Sequence, residues 1–218
     1  MNTAKNNLLL LALSVIGLGI VLGTFLWSKL QPRDEFRLSE EQSLEVFSDF
    51  GHVPEFSLTE RSGKTISLAG LRGNVWIADF IYTSCTDTCP LQSAEMEKLQ
   101  EHWSSRGDLR LVSFSVDPKR DTPQVLARYA EHFKADADRW LFLTGDKEQI
   151  LRLVEKGFRL SATPAVAGGA DDDVILHSPR FVLIDRAARI RGYYDSRDAA
   201  ALKRLNKDVL TLLSNRKE

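Results

Sequence analysis

Residues 75–81, Val-Trp-Ile-Ala-Asp-Phe-Ile, form an almost unbroken apolar run. A strand with one wet face alternates apolar and polar side chains, whereas a run like this belongs to a strand covered on both faces. Residues 109–116 read as a second buried strand. Between the two, Leu91, Ala94, Met96, Leu99 and Trp103 recur at close to helical spacing. A buried strand, a helix and another buried strand make a βαβ unit, and that unit forces a parallel pair with a helix packed across it.

The rest of the chain extends the pattern. Residues 53–58 and 65–68 read as two strands joined by a turn at 61–64. Thr122 followed by Pro123 marks a helix start, an N-cap and then proline at the first helical position, for a helix running to about residue 134. A short strand at 140–143 and a helix over 146–156, ended by Gly157, come next. Strands at 181–184 and 190–194 share a short link, and an amphipathic helix over 198–213 closes the chain. The expected class is α/β: a central, mostly parallel sheet flanked by helices, with antiparallel strands added by the late hairpin. Residues 161–173, with Gly168-Gly169 and Asp171-Asp172-Asp173, lack periodicity and read as a flexible acidic loop of a length that is often functional.

Residues 8–27 carry no charge, and only Ser14 and Thr24 are polar. At about 1.5 Å per residue the run spans roughly 30 Å, the thickness of a hydrocarbon core. It is longer than a cleaved leader's apolar stretch and ends in Phe25-Leu26-Trp27, suited to the membrane interface, so an uncleaved anchor is expected. Lys5 lies on one side and Lys29 and Arg33 on the other, which leaves orientation open. The expected organisation is an anchor at 1–30, a polar stalk at 31–52 and a folded domain at 53–214. Lys5 and Lys29 are the only charges in the first 30 residues, so a chain of net charge −1 has an acidic remainder. No basic surplus exists to hold phosphates, and nucleic acid is not an expected partner.

Both cysteines fall where the first buried strand gives way to the helix, in Tyr82-Thr83-Ser84-Cys85-Thr86-Asp87-Thr88-Cys89-Pro90. If Pro90 opens the helix, Cys89 stands at its N-terminus, where unpaired N–H groups stabilise a thiolate. Cys85 lies about one turn earlier, so the sulfurs can form a disulfide or hold one metal ion. Three intervening residues open the pair beyond the two of a tight redox motif, favouring a metal without forbidding oxidation. Two thiolates need a third donor. His52, His102 and His132 read as surface residues, while His177 follows the acidic loop and precedes a buried strand. Ligands gather at one end of the strands in α/β sheets, which makes His177 a candidate ligand, with a surface role as the alternative.

The apolar strand, Tyr82-Thr83-x-Cys85-x-Asp87-x-Cys89-Pro90, Ser115-Val116-Asp117-Pro118-Lys119-Arg120-Asp121-Thr122-Pro123, His177-Ser178 and Leu183-Ile184-Asp185 together resemble the Sco (SenC) family. These are membrane-anchored, thioredoxin-like copper proteins that assist assembly of the dinuclear copper site of cytochrome c oxidase. The resemblance covers roughly residues 53–213 and implies a thioredoxin-like fold behind an N-terminal transmembrane helix. It implies that Cys85, Cys89 and His177 bind one copper ion per chain, as Cu(I) or Cu(II), and that the cysteines also cycle between dithiol and disulfide. Thiolates suit Cu(I), and an added imidazole accommodates Cu(II). Implied partners are a copper-accepting oxidase subunit and a thiol reductant or copper donor protein. The implied location is the bacterial inner (cytoplasmic) membrane, single-pass, with the domain facing the periplasm or outside.

Thr86 departs from the family, which often has proline there, and loosens the cysteine loop. Pro179 stands close to where thioredoxin-like proteins place a cis-proline facing their disulfide, which would favour redox character. The Asp117–Pro123 segment reads as a structural link between strand and helix, with tuning of the cysteine site from behind as the alternative. Asp79, within an apolar strand, needs a partner or a raised pKa if buried, and its expected role is structural. The alternative to a metallochaperone is an enzyme, a thiol–disulfide oxidoreductase using Cys85 and Cys89 without stoichiometric metal.

Overall fold

The computed structural model describes residues 49–160, 163–164, 174–175 and 179–215. Contacts divide the chain between Val46 and Phe47, and every described residue belongs to the second unit. The expected anchor at residues 8–27 and most of the stalk therefore lie outside the described residues. Among the described residues, no helix is long and apolar enough to cross a membrane.

In chain order the elements are β1 (Ser57–Glu60), β2 (Thr65–Ser67), α1 (Leu68–Leu71), β3 (Val75–Ile81), α2 (Thr88–His102), β4 (Leu109–Ser115), α3 (Pro123–His132), β5 (Trp140–Thr144), α4 (Lys147–Arg152), a π-helical turn (Leu153–Gly157), β6 (Thr163–Pro164), β7 (Val174–Ile175), β8 (Arg180–Ile184), β9 (Ile190–Asp195) and α5 (Ala199–Ser214). Seven strands form one sheet in the order β2-β1-β5-β4-β3-β8-β9. Strands β3, β4 and β5 run parallel at its centre. The β1–β2 pair on one side and β8–β9 on the other are antiparallel to their neighbours. This is the mixed α/β, thioredoxin-like sheet that the resemblance implies, with β3 among the central strands.

All seven residues of β3 are buried, because layers cover it on both sides. Trp76, Ala78 and Phe80 pack with Leu68, Phe114, Leu153 and Phe158 in one layer. Val75, Ile77 and Ile81 pack with Cys89, Met96, Leu126, Phe142 and Leu205 in the other. Strand alternation thus assigns successive side chains to opposite cores. Side-chain caps set the helix starts: Thr122 accepts from the Val125 N–H, Asp146 from Gln149 and Asp198 from Ala200.

Gly157 ends the helical stretch for a packing reason. A Cβ there would stand 2.7 Å from Pro54 Cδ, so the π-helical turn can rest on the incoming segment only through a glycine. That segment already pairs with the domain. The Phe50 N–H donates to the Ile190 carbonyl, Ile190 donates to Gly51, and Val53 donates to Ala188. The first strand begins at Ser57 rather than at residue 53, because residues 50–53 bond to the β8–β9 turn and the start of β9.

Candidate metal and thiol centre

Strand β3 delivers the chain to its end at Ile81, and a tight turn follows, closed by the Cys85 N–H donating to the Tyr82 carbonyl at 3.1 Å. A carboxylate from elsewhere clamps the turn. Asp121, fully buried between β4 and α3, accepts from the Thr83 N–H at 3.1 Å, the Thr83 hydroxyl and the Ser115 hydroxyl at 2.6 Å. Burial pushes the Asp121 carboxyl up, and the bonds from Ser115 and Thr83 offset part of that rise. Asp121 therefore positions the cysteine turn, a role beyond the strand-to-helix link read from sequence. Its partner Thr83 lies 38 residues away, so local sequence carried no signal for the contact.

Helix α2 starts at Thr88, before the proline rather than at it. Pro90 is still within the first turn, where a missing N–H breaks no helical bond. Cys89 is thereby drawn into the helix, and the expected polarity of the thiols reverses. Its side chain is buried at 5% exposure, while its backbone N–H points back to Cys85 Sγ at 3.4 Å. The reason is geometric. First-turn N–H groups project off the helix end toward the preceding residues, whereas a first-turn side chain can lie along the helix flank.

The two thiols are accordingly unlike. Burial raises the Cys85 thiol, but the N–H groups of Cys89 and Asp87, the Tyr82 hydroxyl and the Cys89 side chain outweigh it, and the pKa falls below the ordinary value. Burial dominates at Cys89 and pushes its thiol far up, despite a bond from the Tyr82 backbone N–H. Cys85 is half-buried and Cys89 buried, and both are free thiols. Leu91 stands 62% exposed, two residues beyond Cys89.

His177 and the Ser178–Pro179 bond lie outside the described residues, as does most of the acidic loop. The ends of that loop are paired, with Thr163 opposite Ile175 and Pro164 opposite Val174 in an antiparallel pair. Among the described residues, no three His, Cys, Asp or Glu side chains come together as a metal site. The structure brings together Cys85 and Cys89, two soft donors in contact with each other. His52, His102 and His132 are exposed.

The sequence matches the SCO1/SenC family over residues 48–213. The SCO1 protein homolog of Bacillus subtilis (strain 168) is 34% identical over 145 residues, covering 66% of this chain and 73% of that protein. A Stutzerimonas stutzeri protein whose name proposes copper binding is 29% identical over 195 residues, 88% of each chain. The solved structure of BsSco is described as a member of the Sco family of cytochrome c oxidase assembly proteins with a disulfide switch. It superposes with a TM-score of 0.66 at 29% identity, covering 78% of this chain and 98% of that one.

Proposed function

From the premise that this chain belongs to the SCO1/SenC family, we propose that it is a membrane-anchored, extracytoplasmic copper chaperone that loads an oxidase subunit. One copper ion is the cargo, and Cys85, Cys89 and His177 are its ligands. The observation that carries this reading is the contact between the thiols at the end of β3, with the Cys89 N–H on Cys85 Sγ and Cys85 half-open to solvent. Two soft donors side by side suit Cu(I), and an imidazole from the chain beyond β7 would complete a set that also accepts Cu(II). Few ligands and a half-open sulfur favour release to a partner over storage. The apolar run at residues 8–27 supports the anchor and would hold the domain near a membrane-embedded acceptor.

The same contact supports a second reading, a thiol–disulfide oxidoreductase. Cys85, with its lowered pKa, is the nucleophile, and Cys89 lies close enough to close a disulfide on it. The disulfide switch described for BsSco favours keeping this chemistry beside the copper reading. His177→Ala separates the two. A chaperone loses tight copper binding and oxidase maturation while its dithiol still reduces a small disulfide. Retention of both copper functions in His177→Ala would remove His177 from the ligand set, and a reduced wild-type chain that binds no copper would leave the oxidoreductase reading standing alone.

A further inference from the structure

The chain that carries His177 back to the sheet is tied down where it returns. Pro179, two residues after His177, has only its carbonyl for backbone hydrogen bonding, because the ring nitrogen carries no proton. That carbonyl takes two donors from one residue. The Ser196 N–H donates at 2.7 Å and the Ser196 hydroxyl at 2.9 Å. Arg180 follows as the first residue of β8, paired with Asp195 at the end of β9. The β3–β8 register runs from Trp76 opposite Ile184 to Ala78 opposite Val182, so Arg180 stands two residues past its end. Its carbonyl takes a donor from a helix instead. The Gln92 side-chain amide of α2 donates to it at 3.2 Å, across 88 positions of sequence.

Both side chains are buried, Gln92 at 2% exposure and Ser196 at 4%. A long amide sealed on a helix flank costs free energy unless it is hydrogen-bonded, and here its donor is spent on one backbone oxygen. The inward face of α2 carries Cys89, Gln92, Ser93, Met96 and Leu99, with Gln92 three residues after Cys89. One helix face therefore holds one thiol and the tie to the strand that follows His177. An extended chain advances at most about 3.6 Å per residue, so the two residues from Pro179 back to His177 give a reach of roughly 7 Å.

We propose that Gln92, together with Ser196, is a positioning residue for the copper site. The two side chains fix the root of the His177 segment against the helix that carries Cys89. The inference rests on the ligand role of His177 in the proposed function. Neither side chain holds copper; both act through the backbone at Pro179 and Arg180. Untying that root lowers the effective concentration of the imidazole at the thiols. The loss falls mainly on Cu(II), which the imidazole accommodates, and less on Cu(I), which the two thiolates suit.

The test uses the full chain in detergent, reduced and anaerobic, with Cu(I) and Cu(II) as separate probes against competing chelators. Gln92→Met keeps the length of the side chain and removes the donor. The expected result is Cu(II) affinity weakened about tenfold, the low end for losing a group that orients a metal ligand, with Cu(I) affinity falling less. Added to His177→Ala, Gln92→Met should leave both affinities where His177→Ala put them, since the two act along one path. In the copper-free chain, hydrogen exchange read by mass spectrometry should quicken in peptides containing Ser196, whose N–H is bonded to Pro179. Wild-type Cu(II) affinity in folded Gln92→Met, an equal loss with and without His177, or wild-type exchange at Ser196 overturns the assignment of Gln92. Where Gln92→Met does not fold, Ser196→Ala enters the same cycle, and wild-type Cu(II) affinity there refutes the proposal. Wild-type Cu(II) affinity in His177→Ala alone removes the ligand reading itself, and the proposal with it.

Discussion

The backbone N–H of Cys89 lies 3.4 Å from Cys85 Sγ, so the helix that holds one cysteine activates the other. The two sulfurs are therefore expected to enter chemistry in order, with the half-buried Cys85 first and the buried Cys89 second. In the proposed function, copper and disulfide chemistry both start from that asymmetry.

Alkylation should reproduce the order. At neutral pH, iodoacetamide modifies Cys85 first and Cys89 slower by at least about tenfold, since the thiolate is the reactive form. Peptide mass spectrometry after timed quenching reads both sites. Tyr82→Phe removes a hydroxyl donor to Cys85 and shifts the pH dependence of Cys85 modification upward. Equal rates at the two cysteines would refute the asymmetry.

Asp121→Ala should loosen the cysteine turn. It leaves the Thr83 N–H and the Ser115 hydroxyl without their acceptor, a loss of roughly 1–3 kcal/mol for buried polar groups left unpaired. Urea unfolding measures it. Copper affinity should weaken as well, because Cys85 is two residues from Thr83. Unchanged affinity would confine Asp121 to stability.

Stability should fall as pH rises from about 4 to about 7 through Asp79. Its folded pKa, about 7, lies above the unfolded value, so the contribution is complete below about 4 and lost by about 7. The upper bound on the loss is about 4 kcal/mol. Urea midpoints across this range should be flatter in Asp79→Asn than in wild type, and the variant should be the more stable protein at pH 8.

Gly157→Ala places a methyl 2.7 Å from Pro54. Overpacking of this kind costs typically 1–3 kcal/mol, and thermal unfolding should show a lower midpoint with unchanged thiol reactivity.

The central strand was legible in the sequence because β3 is buried on both faces, so the run at residues 75–81 is apolar at every position but Asp79. The helix beginning at Pro123 was legible because Thr122 and Pro123 act locally. The first strand was placed too early, since Val53 and Phe56 are apolar for burial against the core rather than for pairing in β1. The cysteine pair was plain from spacing, but its polarity was not. That depends on α2 starting at Thr88, which turns the Cys89 side chain inward. The Asp121 clamp joins residues distant in sequence, and only the fold brings them together. Asp79 stood out as a lone acid in an apolar strand, and it is fully buried there.

The central claim is that Cys85, Cys89 and His177 form one copper site. Its most direct test is anaerobic titration of the reduced full chain with Cu(I) against a competing chelator, followed by metal analysis, alongside Cys85→Ala, Cys89→Ala and His177→Ala. The account predicts one tightly held copper per wild-type chain and its loss in each cysteine variant. For His177→Ala it predicts weakened Cu(I) binding and, in a parallel Cu(II) titration, no tight site. A wild-type chain with both thiols reduced that retains no copper would contradict it.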